Sequence, residues 1–365
     1  MTSVSSVPGL SLEQSIKHEA RRLGFVLAGV TTPDPPPHTS VFEDWLSQGR
    51  HGSMGYLAED RSRLCRADPR QIMPKCRSII VLAAPHSNPG RLRTTTARQE
   101  DEQPRGRVAA YAWGRDYHDV IQERLRAIVT FIEQRLGRPV PTRCYTDSGP
   151  ILERDLAQRA GLGWIGKNTC LINPKLGSCF LLAEILLEAD LKPDKALHTD
   201  QCGTCTRCIG ACPTACILPD RTIDARKCVS YLTIELKAGI PSELRPMMAN
   251  WVFGCDVCQM VCPWNRFAPA EGDEAFGSRG VSPDPPLLRQ LQLSAEAFGS
   301  QFKGTAIRRA RHVGYLRNLV VATGNTAGVE ALPLLRAVAI YGNALLQEHA
   351  DWAIQQITQH AGHNE

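Results

Sequence analysis

The chain has 365 residues, of which 43% are apolar, and a formal charge of +5. That length accommodates two or three domains with real cores. The charge permits a polyanionic partner without demanding one, and no apolar stretch is long enough to span a bilayer as a helix.

Leu12, Ile16, Ala20 and Leu23 fall on one helical face, so 12–30 reads as an amphipathic helix feeding a strand. Arg21-Arg22 ahead of the apolar 23–30 has the look of a twin-arginine export signal. Against it stand Glu13 and Glu19 upstream, a short apolar part, and a proline-rich turn at 31–39 with no small-residue cleavage site. A cytoplasmic chain with reduced thiols is therefore expected.

Ser78 to Ala84 reads as a buried strand bounded by Pro85. A long polar loop follows over 86–107. Val120, Ile121, Leu125, Ile128, Val129, Ile132 and Leu136 mark one face of a helix. Residues 151–160 read as helix and 179–187 as strand. This interleaving predicts an α/β-type domain to about residue 190. A cysteine-rich module follows over 191–267, then a Pro/Gly/Asp/Ser linker over 268–287. The remainder, 288–365, is helical, with apolar-periodic segments at 313–323 and 330–357 that resemble a HEAT-like repeat pair. The chain as a whole is expected to be α+β.

Nine of the fourteen cysteines lie between Cys202 and Cys262, which makes that stretch the chemical centre of the chain. Cys202-x2-Cys205-x2-Cys208-x3-Cys212-Pro213 has the spacing that wraps three thiolates around one iron–sulfur cube and sends the fourth to a neighbouring cube. Cys255-x2-Cys258-x3-Cys262-Pro263 is a second run, one cysteine short. Two [4Fe–4S] clusters follow. Cys202, Cys205, Cys208 and Cys262 would hold one, and Cys212, Cys255, Cys258 and the intervening Cys228 the other. Cys216 reads as a buried packing thiol. Zinc or disulfides are the bland alternatives, but three cysteines at successive x2 gaps crowd one tetrahedral ion. Cys65, Cys76, Cys144, Cys170 and Cys179 read as core residues.

Gly161-x-Gly163-x-x-Gly166 matches a dinucleotide fingerprint, but helix precedes it and strand follows, the inverse of what that site needs. Gly161 is more simply the end of a helix. Asp147-Ser148-Gly149-Pro150 puts an acid on a tight turn before a helix; from the motif alone, Asp147 reads as a helix cap. Asp116-Tyr117-His118 starts like the Asp-x-His-x-x-Gly motif that ligates cobalt, but Ile121 stands where glycine is required, so His118 reads as a polar residue at a helix start. Lys303, Arg308, Arg309, Arg311, His312 and Arg317 form a basic stretch with no acid between Glu296 and Glu330, either a solvated face or a phosphate-binding footprint.

The cysteine runs, with Asp224-Ala-Arg226-Lys-Cys228-Val-Ser230-Tyr231, Gly254-Cys255-Asp256, Asp147-Ser-Gly-Pro150 and Gly163-Trp-Ile-Gly-Lys167-Asn168, closely resemble the epoxyqueuosine reductase family. The resemblance runs from the first helix through Asn265 and, more loosely, through the tail. It implies a cytoplasmic oxidoreductase that reduces epoxyqueuosine at the tRNA wobble position to queuosine. Its cofactors would be two [4Fe–4S] clusters and a cobalamin, cob(II)alamin at rest, held over 1–190 without a histidine ligand to cobalt. Asp147 is then the proton donor. Asp147, Trp164, Ile165, Asn168, Ser230, Tyr231, Cys255 and Asp256 would line the cobalamin, and Arg308, Arg309 and Arg311 would contact the tRNA anticodon stem-loop. An external low-potential electron donor and a monomeric enzyme are expected, with no membrane partner. A related reductive dehalogenase of small organohalides is the rival reading, but it usually carries an export signal and has no need of a basic tail. A plain electron carrier would need only 200–265.

Overall fold

A computed structural model describes residues 9–91, 103–197, 199–278 and 280–362. Part of the loop expected at 86–107 lies outside them. The chain forms two compact units, each assembled from separated stretches: Met1–His86, Tyr117–Cys205 and Pro263–Asp273 in the first, and Ser87–Asp116, Thr206–Cys262 and Glu274–Glu365 in the second.

In the first unit, helix α1 (Leu12–Arg22) opens on a capping box between Ser11 and Gln14 and carries Arg21 and Arg22 in its last turn, where they complement the helix dipole. The doublet expected to be structural rather than a signal is therefore part of a helix end. The chain then enters strand β1 (Leu27–Thr31) and later β2 (Ser78–Pro85). Strands β3 (Thr142–Tyr145) and β4 (Phe180–Leu187) complete a four-stranded sheet of order β1-β2-β4-β3. Every neighbouring pair is antiparallel. Interleaved helices and strands predicted an α/β-type domain; antiparallel pairing corrects that to α+β. The physical reason is the connections: those around β2, β3 and β4 return the chain to the sheet in the opposite sense, which no order-of-elements reading reveals.

Ile79, Val81 and Ala83 of β2 and Leu186 of β4 share a core with Ile151, Leu156, Ala157, Ala160, Leu162 and Leu171. Helix α3 (Glu153–Arg159) lies over this face. By strand alternation Ile80, Leu82 and Ala84 point the other way, and they are fully buried too. Both faces of the sheet are thus covered, and each buried Ile, Val or Leu contributes roughly 1.5–3 kcal/mol. Helix α2 (Tyr117–Leu136) packs against α1, β3 and β4 and brings Tyr117 and His118 to its N-terminal end.

The second unit holds the short helix α4 (Val229–Ile234), a strand pair formed by Arg107–Val108 and Trp251–Phe253, and three longer helices. These are α5 (Arg311–Thr326), α6 (Leu332–Tyr341) and α7 (Ala344–Gly362). The periodic segment at 330–357 is two helices, because Gly342 ends α6. Helix α7 packs against both α5 and α6.

Candidate active site and cluster-binding segments

The β3–α3 connection carries Asp147. Leu152 occupies the N-cap of α3, without a side-chain cap bond, so Asp147 is not the helix cap that its turn motif suggests. Asp147 has a φ of 58°, a left-handed conformation that costs a non-glycine residue energy and needs support from its surroundings. The support is visible. The Asp147 N–H donates to Glu153 Oε1 at 2.6 Å, and the Tyr117 hydroxyl donates to Asp147 Oδ2 at 2.6 Å. His118 Nε2 stands 3.6 Å from the same oxygen. Gly149 is required where it is, since a Cβ there would lie 2.5 Å from the Tyr145 ring. The Asp147 side chain is 54% exposed, so the protein holds it at a surface with one carboxyl oxygen already oriented. Sequence reasoning missed Tyr117 as a partner of Asp147; the only signal was its place at the start of a strongly amphipathic helix.

The turn from Gly161 to Asn168 leads into the hairpin of Trp164–Ile165 with Leu171–Ile172. Gly161, at φ 78°, follows the last turn of α3, as a C-terminal glycine should. Trp164 is 2% exposed and meets Trp264 edge-on at 5.1 Å between centroids. Its indole N–H has no acceptor among the described residues, and neither has the Asn168 side-chain amide N–H, although Asn168 Oδ1 accepts from the Cys170 N–H at 3.3 Å. The Ile165 N–H donates to Gln158 Oε1 at 3.1 Å. Two buried donors left without acceptors on one short turn are costly unless a ligand satisfies them. Lys167, between them, reaches the first cysteine run: its Nζ donates to Gly203 O at 2.7 Å and Cys205 O at 3.0 Å. Cys202 and Cys205 are joined by a tight turn in which the Cys205 N–H donates to Cys202 O at 3.0 Å.

In the second unit the short helices Arg207–Ala211 and Val257–Met260 pack against each other. They carry Cys208 and Cys258, with Cys212 and Cys262 just beyond their ends and Cys255 just before the second. Cys228 is the N-cap of α4. Cys216 is 3% exposed, as expected of a packing thiol, but it packs on sulfur: its Sγ is 3.4 Å from Cys212 Sγ, and it also hydrogen-bonds Cys228. The Cys216 contact pulls the Cys212 thiol down to about 5 and Cys228 to about 7, while burial pushes Cys255 up to about 12. Two thiols that ionise readily suit metal ligation. Of the cysteines read as core, Cys65, Cys76 and Cys179 are buried, but Cys144 and Cys170 are only partly so.

Ser230 and Tyr231 lie on α4, and Tyr231 is 7% exposed. The Gly254 N–H donates to Thr233 Oγ1 at 3.0 Å, which ties α4 to the Cys255-Asp256 segment. Asp256 is 1% exposed and its Oδ2 accepts from the Ala110 N–H at 2.7 Å; burial pushes its carboxyl up to about 6.

Arg308, Arg309 and Arg311 are all exposed on the short turn of helix Ala306–Ala310 and the start of α5. Arg309 pairs with Glu235 at 2.6 Å. Arg317 does not belong with them. It is 0% exposed and its guanidinium donates to Leu232 O, Leu236 O and Ala238 O at 2.6–2.8 Å, closing the C-terminal end of α4. Six residues on from the exposed Arg311, Arg317 falls on a different face of α5 and turns inward, and the charge run alone could not show it.

A family profile described as "4Fe-4S double cluster binding domain" matches residues 201–265, and one described as "Epoxyqueuosine reductase QueG" matches 66–148. The epoxyqueuosine reductase of Pseudomonas aeruginosa is 40% identical over 94% of this chain and 94% of its own length, and that of Escherichia coli is 38% identical over 94% and 89%. The chain belongs to the epoxyqueuosine reductase family. Solved epoxyqueuosine reductases share its fold. That of Streptococcus thermophilus superposes with a TM-score of 0.83 at 29% identity over 94% of this chain and 90% of the other. An epoxyqueuosine reductase with a tRNA-Tyr epoxyqueuosine-modified stem loop gives 0.82 at 28% identity over 95% and 90%. A Bacillus subtilis epoxyqueuosine reductase, solved with its catalytic aspartate loop swung out of the active site, gives 0.83 at 28% identity over 95% and 90%. As an epoxyqueuosine reductase the chain is an oxidoreductase with a double-cluster domain, and no described helix is long and apolar enough to cross a membrane.

Proposed function

We propose that this chain reduces the epoxide of epoxyqueuosine in tRNA to the alkene of queuosine, releasing water, with Asp147 as proton donor. The supporting observation is near-full-length identity of 38–40% to epoxyqueuosine reductases. Two [4Fe–4S] clusters and a cobalamin, when bound, supply the two low-potential electrons that no side chain can provide. Cys202, Cys205, Cys208 and Cys262 would hold one cluster, and Cys212, Cys228, Cys255 and Cys258 the other. The residues present fit both groups. The thiols stand in ferredoxin spacing, and the unpaired N–H groups of Trp164 and Asn168 suit a ligand bordered by amide carbonyls, as cobalamin is. Ile165, Ser230, Tyr231, Cys255 and Asp256 belong to the same proposed lining.

The chain's own part is to bind, orient and protonate. Opening the epoxide builds negative charge on oxygen, and an acid within hydrogen-bond reach neutralises it. Tyr117 anchors Asp147 through Oδ2, which fixes the direction of the carboxyl. The left-handed backbone at Asp147 makes this a loop held in place by hydrogen bonds, and the swung-out loop of the Bacillus subtilis relative shows that such a loop moves in that protein. The substrate arrives on an anticodon stem-loop in the cytoplasm, and Arg308, Arg309 and Arg311 are assigned to its phosphates. Domains over 1–190, 191–267 and 288–365, the last HEAT-like, remain the functional division we infer. A monomer and an external reductant complete the reading.

The test is Asp147→Asn in reconstituted enzyme on an epoxyqueuosine-containing stem-loop. Turnover should fall ~10²–10⁴-fold while iron and cobalt contents hold. Near-normal turnover removes Asp147 from the chemistry.

A further inference from the structure

A pair of acids, Glu153 and Glu184, stands behind Asp147. Glu184 sits at the middle of β4, opposite Val81 on β2 and Tyr145 on β3, and is 0% exposed. Strand alternation puts it on the same face as Leu182 and Leu186, the face that α3 covers. No N–H or O–H of another side chain or backbone group among the described residues reaches either of its carboxyl oxygens. Its polar neighbour is the carboxyl of Glu153, the residue that accepts the Asp147 N–H. A fully buried carboxylate facing a second carboxylate, with no donor between them, does not persist; one proton shared by the two removes the conflict.

We propose that Glu153 and Glu184 together hold one proton and one negative charge behind Asp147. In this arrangement the pair is a positioning device: Glu153 clamps the Asp147 N–H, and the pair's charge favours the acid form of Asp147 that the reaction consumes. The proposal rests on Asp147 being the proton donor. The shared proton stays in the pair; the proton that Asp147 gives up is replaced from solvent. Burial, first of all, pushes both glutamates up, with the Asp147 charge adding at Glu153 and the Glu153 charge adding at Glu184. The charged and titratable groups around the pair are Asp147, Tyr117 and His118 toward the loop, and Arg154 and Arg66, the latter with Nη2 3.5 Å from Gly149 O. Arg154, which is exposed, and Arg66, which is buried, both attract the Glu153 charge, but at Glu153 the pull of Arg154 is smaller than the opposing effects of burial and of the Asp147 charge. More than half of the Asp147 side chain is exposed, so burial by protein is slight there, and a like charge on the neighbouring pair acts in the direction of the acid form.

Two measurements on reconstituted, reduced enzyme test this. The first is the pH profile of single-turnover rate. Glu153→Gln/Glu184→Gln keeps an oxygen for the Asp147 N–H but removes both carboxyls and with them the charge, so the alkaline limb should move about one to two units to lower pH with little change in KM. A rate lowered by one factor at every pH, with the limb in place, overturns the proposal. The second is infrared spectroscopy at neutral pH: a buried carboxylic-acid C=O band should be present in the wild type and absent in Glu184→Gln. No such band in the wild type also overturns it. Full turnover by Asp147→Asn would instead defeat the donor reading and the purpose of the charge, while the infrared band would still decide whether the pair shares a proton.

Discussion

At the scale of single residues, the stoichiometry of the cofactors turns on Cys228. The second cysteine run is one thiol short, and Cys228, the N-cap of α4, is the residue we propose to complete it. Cys228→Ala should lower the iron of anaerobically reconstituted protein from about eight to about four per chain, as one four-iron cube is lost. Cys216 should behave differently, although it touches both Cys212 and Cys228. As a thiol donating to a sulfur proposed as a ligand it would stabilise the reduced, more negative cluster, since hydrogen bonds to the sulfurs help set cluster potentials. Cys216→Ala should therefore leave iron unchanged and move one cluster's midpoint potential to a more negative value in a titration followed by electron paramagnetic resonance. Cys216→Ser, which keeps a donor, should restore much of that shift. If Cys216→Ala instead loses four irons, Cys216 is a ligand and Cys228 is not needed for the count.

At the scale of elements, the docking of α7 depends on a neutral histidine. His349 is 0% exposed; its Nε2 accepts the Ile240 N–H at 3.1 Å and its Nδ1 donates to Leu345 O at 2.7 Å. Burial pulls it down to about 4, from an ordinary value of 6.5. A base whose value is depressed on folding contributes stability that is complete above its unfolded value and is lost as pH falls toward the folded one. The span of roughly 2.5 units corresponds to ~3 kcal/mol, most of it gone by pH 4. Hydrogen exchange of 344–362, corrected for intrinsic rate, should show protection falling between pH 7 and pH 5 in the wild type, and much less so in His349→Gln. Equal pH dependence in both would sink the assignment. The helices themselves were legible from apolar periodicity, because burial of one face leaves a pattern every 3.6 residues. Strand β3 was not: with its burial mixed and only four residues long, it carries no alternation to read. Glu184 could have been flagged as an acid inside an apolar strand, but nothing local says that its neighbour is Glu153, 31 positions earlier in sequence. The cysteine spacing and the Asp147 turn were readable because their chemistry is encoded in short intervals. Tyr117 and Glu153 reach Asp147 only through the packing of α2 and α3.

At the scale of the whole molecule, recognition of a tRNA has to come from a local field, because a net charge of +5 over 365 residues is weak. The stretch around Arg308 to Arg311 lacks acids in sequence, yet folding brings Glu235 against Arg309 and turns Arg317 into the core. Of the four arginines in the run, Arg308 and Arg311 are the exposed charges with no acid pair among the described residues, and Arg309 is partly neutralised. Each phosphate neutralised by a cation releases counterions and steepens the fall of log K with log salt by ~0.7–0.9. Replacing Arg308, Arg309 and Arg311 by Ala should therefore weaken stem-loop binding and flatten that slope by ~2, with Arg309→Ala alone contributing least. Removing Arg317 should instead act on stability, since its guanidinium closes the end of α4. Binding measured across a salt series separates the two cases. A triple variant with the wild-type slope would mean that these three arginines face solvent in the complex and that the phosphates are held elsewhere.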